Sequence, residues 1–469
     1  MKKVSIFISM LLTTLYLLLG YLLYDLGILS NNTIFICSII VGIFIFILDL
    51  IMIISKSKVF KILVFILSII LSIIFGIGIH YLNTTRSFIK SFNEPNEKYN
   101  YYYLVVNKDS TYLKYNDLDN KIIGVFENFN KEVYDKITIN YKLEEKKSEE
   151  DLVDSLYNNS IDAILISDVK EYFIEEKYED FKDSVRVLKT IKIKKEEPII
   201  DSGKDISKEP FVIFISGIDT SGKISKVSRS DVNIVVTVNP STYEVLLTAI
   251  PRDYYVRLHN TTGYKDKLTH AGIYGIDMSI NTIEDLLGIN IDYYARVNFD
   301  TVINLVDEIG GIEIYSDQNL KFCDIKKGYN YLDGKCALRF ARERKSYTTG
   351  DRHRGENQEE VIKAIIKKVQ NNPSLLTKYD KILGNLENNF ETNVNMNVVK
   401  SFVKLQSKKM PTWNVNTYNL DGVGSSNYTY SMGKRMLYVM EPDINTINNA
   451  NKYINGIIEG KKYSELKGE

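Results

Sequence analysis

The sequence predicts an α/β protein: a three-layer α-β-α sandwich, preceded by a small α/β domain and by three transmembrane helices. Three observations carry this. The chain is nearly all apolar up to about His80 and strongly charged beyond it. Past that point, two stretches mix apolar strand-like runs with helically spaced apolar residues. A charged segment, Lys192–Pro210, reads as the linker between them. The expected units are a membrane anchor at 1–85, a small domain at 98–196 and a larger domain at 205–460. A chain of 469 residues is too long for one ordinary core, which agrees with two domains and an anchor.

The anchor comes first. Apolar runs at Val4–Leu26, Thr33–Ile54 and Val59–His80 each approach the ~20 residues that cross a bilayer as a helix. A cleaved signal peptide is excluded for the first run, because two more follow at once and no small-residue cleavage site is present. Lys2, Lys3, Lys56, Lys58 and Lys61 flank the N-terminus and the second connection, whereas Gly27–Asn32 carries no Lys or Arg. By the positive-inside rule the N-terminus is cytoplasmic, and everything after about Thr84 is extracellular. Lys+Arg and Asp+Glu both total 59, so net charge says nothing about nucleic acid. The topology argues against DNA binding, since it puts the basic motifs outside the cell. Cys37 lies in a span, while Cys323 and Cys336 flank a turn at Gly328 and form either a disulfide or two reduced thiols.

In the small domain, KIIGVF (Lys121–Phe126) and IDAILIS (Ile161–Ser167) read as buried strands. Ser148–Asn159 reads as a helix opened by a Ser-x-x-Asp cap. Strand, helix and strand imply a crossover and a partly parallel sheet. No chemistry concentrates there.

The larger domain opens on FVIFIS (Phe211–Ser216), a continuous apolar strand. Asp231–Asn239 and Tyr243–Ile250 follow, joined by a hairpin turn at Pro240-Ser241-Thr242. Helical patterns occupy Ser279–Leu287, Phe299–Ile309 and Glu356–Gln370. Short charged motifs punctuate these elements: GID at 217–219, RSD at 229–231, PRD at 251–253, ARER at 341–344 and GDRHRGENQ at 350–358. Arginines offer rigid, permanently charged forks for phosphate oxygens. The aspartates offer hard oxygen ligands for a divalent ion. Together they suit a site that grips a polyanion with a metal. GIDTSGKI (Gly217–Ile224) nearly spells a Walker loop, but Ile224 stands where Ser or Thr is required and a strand follows instead of a helix. A nucleotide site is therefore not expected.

TVNP (Thr237–Pro240), IPRDYYV (Ile250–Val256), KLTHA (Lys267–Ala271), IDYYARVNF (Ile291–Phe299), LVDEIGG (Leu305–Gly311) and LDGKCALRFARER (Leu332–Arg344) come in an ordered series. In that order they resemble the LytR-CpsA-Psr family, enzymes that attach glycopolymers to the bacterial cell wall. The resemblance spans roughly half the chain, from about Glu209. It implies the same sandwich fold, preceded in some members by three spans and an accessory domain. The implied activity is a phosphotransferase at the outer face of the cell membrane. Its donor is an undecaprenyl-pyrophosphate-linked glycopolymer, teichoic-type, capsular or a secondary wall polysaccharide. The acceptor is a peptidoglycan sugar hydroxyl. Asp219 and Asp231 match the family's magnesium-binding aspartates, and Arg229, Arg252, Arg342, Arg344, Arg354 and Gln358 its pyrophosphate contacts. Asp231, Arg252, Arg342 and Arg344 are the expected catalytic set, with Mg²⁺ as cofactor. Turn capping and surface ion pairs are the ordinary alternatives for these aspartates and arginines.

Arg339 and Arg352 do not map onto the family pattern and are expected to face solvent. Asp351 is the expected cap of the helix that carries Arg354 and Gln358, four residues apart and so on one face. Two departures stand out: Val232 follows RSD where the family often has Thr, and Asn357 precedes Gln358 where it often has Arg. No Ser-His-Asp or Cys-His pairing is present, and His270 reads as a structural histidine bonding the backbone. A receptor that binds the lipid carrier without turnover, or a polyprenyl pyrophosphatase, remain alternative functions.

Overall fold

The computed structural model describes residues 2–26, 31–93, 99–126, 129–195, 203–221, 224, 227–348, 350–372, 375, 389–394, 398, 401, 405 and 411–468. Part of the expected linker, 196–202, and Lys223 of the Walker-like string lie outside them. Three long helices come first, α1 (Lys2–Leu26), α2 (Asn31–Ile54) and α3 (Lys58–Asn93). Their segments Val4–Leu26, Ile34–Met52 and Lys58–Thr84 are long and apolar enough to cross a membrane. Phe7, Phe35, Phe46 and Ile73 are among the many large apolar side chains left exposed on them, a surface suited to lipid rather than water. The third helix runs well past the apolar stretch. Asp25 at the end of α1 pairs with Arg86 on this extension at 3.0 Å.

The small domain contains β1 (Tyr99–Asn107), β2 (Lys121–Phe126), α4 (Lys131–Tyr134), β3 (Tyr141–Lys146) and α5 (Glu149–Tyr157). It continues with β4 (Ala163–Ser167), α6 (Asp168–Lys177), α7 (Phe181–Ser184) and β5 (Val185–Lys194). Its sheet has the order β3-β2-β4-β1-β5. β2 is parallel to β3 and β4, and β1 is antiparallel to β4 and β5. The Ser148 hydroxyl accepts from the Asp151 amide and caps α5, as its motif implies. β3 was not foreseen, because an edge strand reading YKLEEK carries the charges that keep edges from pairing further.

The larger domain begins with β6 (Phe211–Ile218), β7 (Ser230–Asn239), β8 (Glu244–Ala249), β9 (Tyr255–Val256), β10 (Asp266–Lys267), α8 (Leu268–Ala271) and α9 (Ile276–Leu287). Then come β11 (Tyr293–Val297), α10 (Phe299–Glu308), β12 (Ile312–Ser316), β13 (Gly328–Leu332), α11 (Gly334–Arg342) and α12 (Asp351–Asn371). β14 (Phe390–Thr392), β15 (Asn414–Asn419), β16 (Gly422–Tyr428), β17 (Met436–Pro442), α13 (Ile444–Ile458) and α14 (Tyr463–Lys467) complete it. Six strands form the central sheet in the order β14-β11-β6-β7-β8-β15.

Alternation along these strands builds the three layers. Val212, Phe214, Val235 and Leu246 face a core with Ile276, Ile280 and Ile283 of α9 and Ile447, Ala450 and Ile454 of α13. Phe211, Ile234, Val236, Val245 and Leu247 face the opposite core, which Ile362 of α12 partly covers. Both faces are buried, so the strands read as continuous apolar runs. The turn joining β7 to β8 is held by Asn239, whose side-chain oxygen accepts from the Ser241 amide at 2.9 Å. Cys323 and Cys336 form a disulfide that ties the segment after β12 to α11.

Candidate active site

β6 and β11 are parallel, β7 is antiparallel to β6 and β8, and β15 is parallel to β8. One edge of the sheet therefore collects the carboxyl ends of β6, β8, β11 and β15 and the amino end of β7. That is where ligands bind in open α/β sheets. The GID, RSD and PRD motifs all fall on this edge, and the first turn of α12 lies beside it.

Asp231 reaches the edge through a β-bulge. Gly217 faces Val232 and Ile218 faces Ser230, which leaves Asp231 as the extra residue. Such a bulge re-aims a side chain out of the regular alternation. Val232 explains the glycine opposite: a Cβ on Gly217 would come 2.6 Å from the Val232 Cβ. Asp231 is then fixed from two sides. Arg252 Nη1 donates to its Oδ2 at 2.6 Å and Thr269 Oγ1 donates to its Oδ1 at 2.9 Å. The Arg252 and Asp231 side chains are only 18% and 16% exposed.

A narrow cleft, partly open to solvent, is lined by Asp231, Arg252, Arg352, Arg354, Gln358, Asn233 and Asn419. Three guanidinium groups line it against one carboxylate, with Arg252 paired to Asp231. Arg354 and Gln358 share one face of α12, as their spacing implies. Arg352 is exposed, as expected, but it also lines the cleft, and its Nη1 pairs with Asp421 at 2.6 Å. Gly350, not Asp351, is the cap of α12 and offers no side chain to its first amides. Asn357 is buried and donates to the Phe340 carbonyl of α11 at 3.1 Å, so this position serves helix packing and not the cleft.

Asp219, one residue past β6, lies 3.7 Å from Arg342, with both side chains about half exposed at 50% and 53%. The Arg342 guanidinium stacks 4.1 Å from the Phe299 ring centroid. Arg344 and Arg339 are exposed. Arg229 turns toward the small domain, where it pairs with Glu176 and lies 6.0 Å from the Tyr172 ring. The structure thus gathers Asp231, Arg252, Arg354 and Gln358 in one cleft, with Asp219–Arg342 as a second pair and Arg229 against α6.

Sequence reasoning missed several supports. Thr269 stands inside the KLTHA motif but had no assigned role. Asn419 comes from the far end of the chain, and its amide donates to Glu359 Oε2 at 2.9 Å. Burial pushes the Glu359 carboxyl well above its ordinary range. His270 bonds a carboxylate and not the backbone: its Nδ1 lies 2.7 Å from Asp266 Oδ1, with 1% and 0% exposure. Asp266 also accepts from the Ser431 amide at 2.9 Å, so the pair locks the KLTHA segment from below.

Among the described residues no cluster of three or more His, Cys, Asp or Glu side chains forms a metal cage. Asp219 does not line the cleft, and both Asp231 oxygens are already bonded to Arg252 and Thr269, so a divalent ion held by this pair would share them with those partners. Asp219 follows the end of β6 and Asp231 opens the adjacent β7, both with the hard oxygens that Mg²⁺ takes one or two at a time beside water and substrate phosphate.

A family model described as LytR_cpsA_psr family matches residues 176–452. Biofilm regulatory protein A of Streptococcus mutans is 32% identical over 247 residues, covering 48% of this chain and 60% of that protein. The polyisoprenyl-teichoic acid–peptidoglycan teichoic acid transferase TagV of Bacillus subtilis is 32% identical over 263 residues, 53% of this chain and 64% of that protein. The corresponding transferase TagU of Enterococcus faecalis is 36% identical over 203 residues, 41% of this chain and 65% of its own length. The chain therefore matches somewhat under two thirds of each of these relatives. A crystal structure of B. subtilis TagV superposes with a TM-score of 0.44 at 30% identity, over 54% of this chain and 98% of that one. With the family model matched over more than half of this chain, the chain belongs to the LytR_cpsA_psr family.

Proposed function

We propose that the cleft is the active site of a phosphotransferase. It moves a glycopolymer from an undecaprenyl-pyrophosphate carrier to a peptidoglycan hydroxyl at the outer face of the membrane. The observation that carries this reading is the convergence of Arg252, Arg352 and Arg354 around Asp231 and Gln358 in one cleft. The names of TagV and TagU, teichoic acid transferases acting between a polyisoprenyl carrier and peptidoglycan, support the substrate class. The extracellular placement is supported by the lysine asymmetry of the spans. It is supported independently by the Cys323–Cys336 disulfide, since such bonds persist in oxidising compartments.

In this mechanism the acceptor oxygen attacks the phosphorus bonded to the glycan. The bond from that phosphorus to the bridging oxygen breaks, and polyprenyl monophosphate leaves with the bridging oxygen. The glycan remains joined to peptidoglycan through a phosphodiester. The hydroxyl proton passes to Asp231, the carboxylate lining the cleft. Both its oxygens are already bonded, to Arg252 and Thr269, and acceleration rests mainly on positioning and on charge neutralisation. Arg252, Arg354 and Gln358 hold the diphosphate, and Arg342 and Arg344 bear on charge at the rim. Bound Mg²⁺, held by Asp219 and Asp231, would supply further neutralisation of the diphosphate. The membrane helices keep the domain beside a donor that stays in the bilayer.

Full-length protein in detergent, given a polyprenyl-diphosphate glycan, Mg²⁺ and peptidoglycan oligomers, tests the proposal. Polyprenyl monophosphate together with a glycan-linked oligomer is the expected result. Monophosphate without that product would mean a pyrophosphatase, and tight binding without turnover a receptor.

A further inference from the structure

The small domain is not a passive spacer, because α6 is built into the flank of the site. Phe173 is fully buried between the domains, packed with Ile273 and Met432. Its ring meets His270 edge-on at 5.7 Å, next in sequence to Thr269, which donates to Asp231. One turn further along α6, Glu176 binds the Arg229 Nη2, while the Tyr172 ring lies under the same guanidinium. Arg435 Nη1 donates to the Glu176 carbonyl at 2.9 Å and holds this end of α6 against the larger domain.

The backbone of Arg229 is fixed as well. A Cβ on Gly272 would come 2.6 Å from the Ser230 amide nitrogen and 3.1 Å from the Arg229 carbonyl carbon, so α8 and its C-cap press directly on this segment. Arg296 Nη2 reaches the Ser228 hydroxyl at 3.3 Å on its other side. Within this frame the Arg229 Nε–H is buried and meets no acceptor among the described residues. A buried donor left unmade costs about 1–3 kcal/mol, and an incoming anion oxygen would relieve that.

We infer that Tyr172 and Glu176 of the small domain are positioning residues for Arg229, completing the anion site with a guanidinium held by one edge and one face. Arg229 stands two residues before Asp231, so it extends the cleft's positive rim toward α6. This inference rests on the proposed diphosphate site. It gives the small domain a role: a chain with α6 displaced keeps Arg229 but loses its orientation.

The test uses full-length protein in detergent and inorganic pyrophosphate as the probe, with Kd measured by calorimetry. Glu176→Gln and Glu176→Ala both remove the negative charge, but only the alanine removes the contact that holds the guanidinium. Pyrophosphate should bind Glu176→Gln at least as tightly as wild type and Glu176→Ala about tenfold more weakly than Glu176→Gln, the factor that ~1.4 kcal/mol of lost orientation represents. Tyr172→Leu, which keeps Glu176, should weaken binding about three- to fivefold, in line with a cation–π contact of ~0.5–1 kcal/mol. Equal affinity of the Gln and Ala variants, with Tyr172→Leu at the wild-type value, would overturn the inference and leave the anion site intact. If wild-type protein binds no pyrophosphate, the proposed function falls first and this inference with it.

Discussion

Replacing Arg252 by alanine removes the group that both lines the cleft and fixes Asp231. At 2.6 Å two unit charges attract by about 6 kcal/mol in an effective dielectric near 20. Most of that is offset by desolvation. Exposed pairs are worth about 0–1 kcal/mol and breaking a fully buried pair costs about 3–5. With under a fifth of each side chain exposed, this pair lies between them, so Arg252→Ala should cost about 1–3 kcal/mol of stability. That corresponds to a fall in Tm of a few degrees, at about 2–4 °C per kcal/mol for a domain of this size. Activity should fall much further. Removing one preorganised donor from a site where charge develops costs about 10²–10³ in rate. The assay is kcat/KM for glycan transfer beside a thermal melt of the same preparation. Arg252→Lys keeps the charge but not the fork, and should recover stability better than rate. In the double variant with Asp231→Ala the losses should fall short of the sum of the singles, since the two side chains share one interaction. Arg252→Ala with transfer activity within about threefold of wild type would refute the assignment, because no loss near the ~10² expected of such a donor could then be ascribed to it.

Other perturbations separate fold from chemistry. The buried Glu359 carboxyl titrates above its ordinary value of 4.5, so the stability it contributes is complete below that value and is lost as pH rises through the shifted one. Glu359→Gln should therefore raise Tm at neutral pH, and the gain should vanish in melts below about pH 4, where both states hold the proton. A gain that persists unchanged in acid would contradict this. Gly217→Ala should lose about 1–3 kcal/mol through overpacking against Val232, and a second change, Val232→Ala, which removes the Cγ2 lying 2.6 Å from the new Cβ, should restore part of it. Denaturant melts in which the second change gives no relief would rule out that contact as the cause. Loss of the Cys323–Cys336 bond, by Cys336→Ser or by reductant, should cost about 2–4 kcal/mol and leave the anion cleft in place. Two reactive thiols in the untreated native protein would count against it.

Much of the fold was legible because it is written in local pattern. The three spans and β6, β7 and β8 are apolar runs long enough to recognise without context. The hairpins β12–β13 and β16–β17 were not, since they face water on one side and expose Tyr315, Tyr329, Tyr331 and Tyr438. At the site, strand-end motifs pointed to Asp231 and Arg252, and helical spacing to Arg354 and Gln358. The partners that fix these groups come from far along the chain. Thr269 lies 38 residues from Asp231, Glu176 is 53 from Arg229 and Asn419 is 60 from Glu359. No periodicity encodes such meetings. Arg352 faces solvent as expected, but its second place in the cleft wall was not legible, since it depends on Asp421, which β15 brings beside the outer turn of α12.

The account stands most directly on the fate of one phosphorus atom. A donor radiolabelled at the glycan-proximal phosphorus, mixed with full-length protein, Mg²⁺ and peptidoglycan, should deliver its label into the peptidoglycan fraction in a phosphodiester, with unlabelled lipid monophosphate released. Label retained on the lipid, or set free as inorganic phosphate or as glycan phosphate unattached to peptidoglycan, would contradict it.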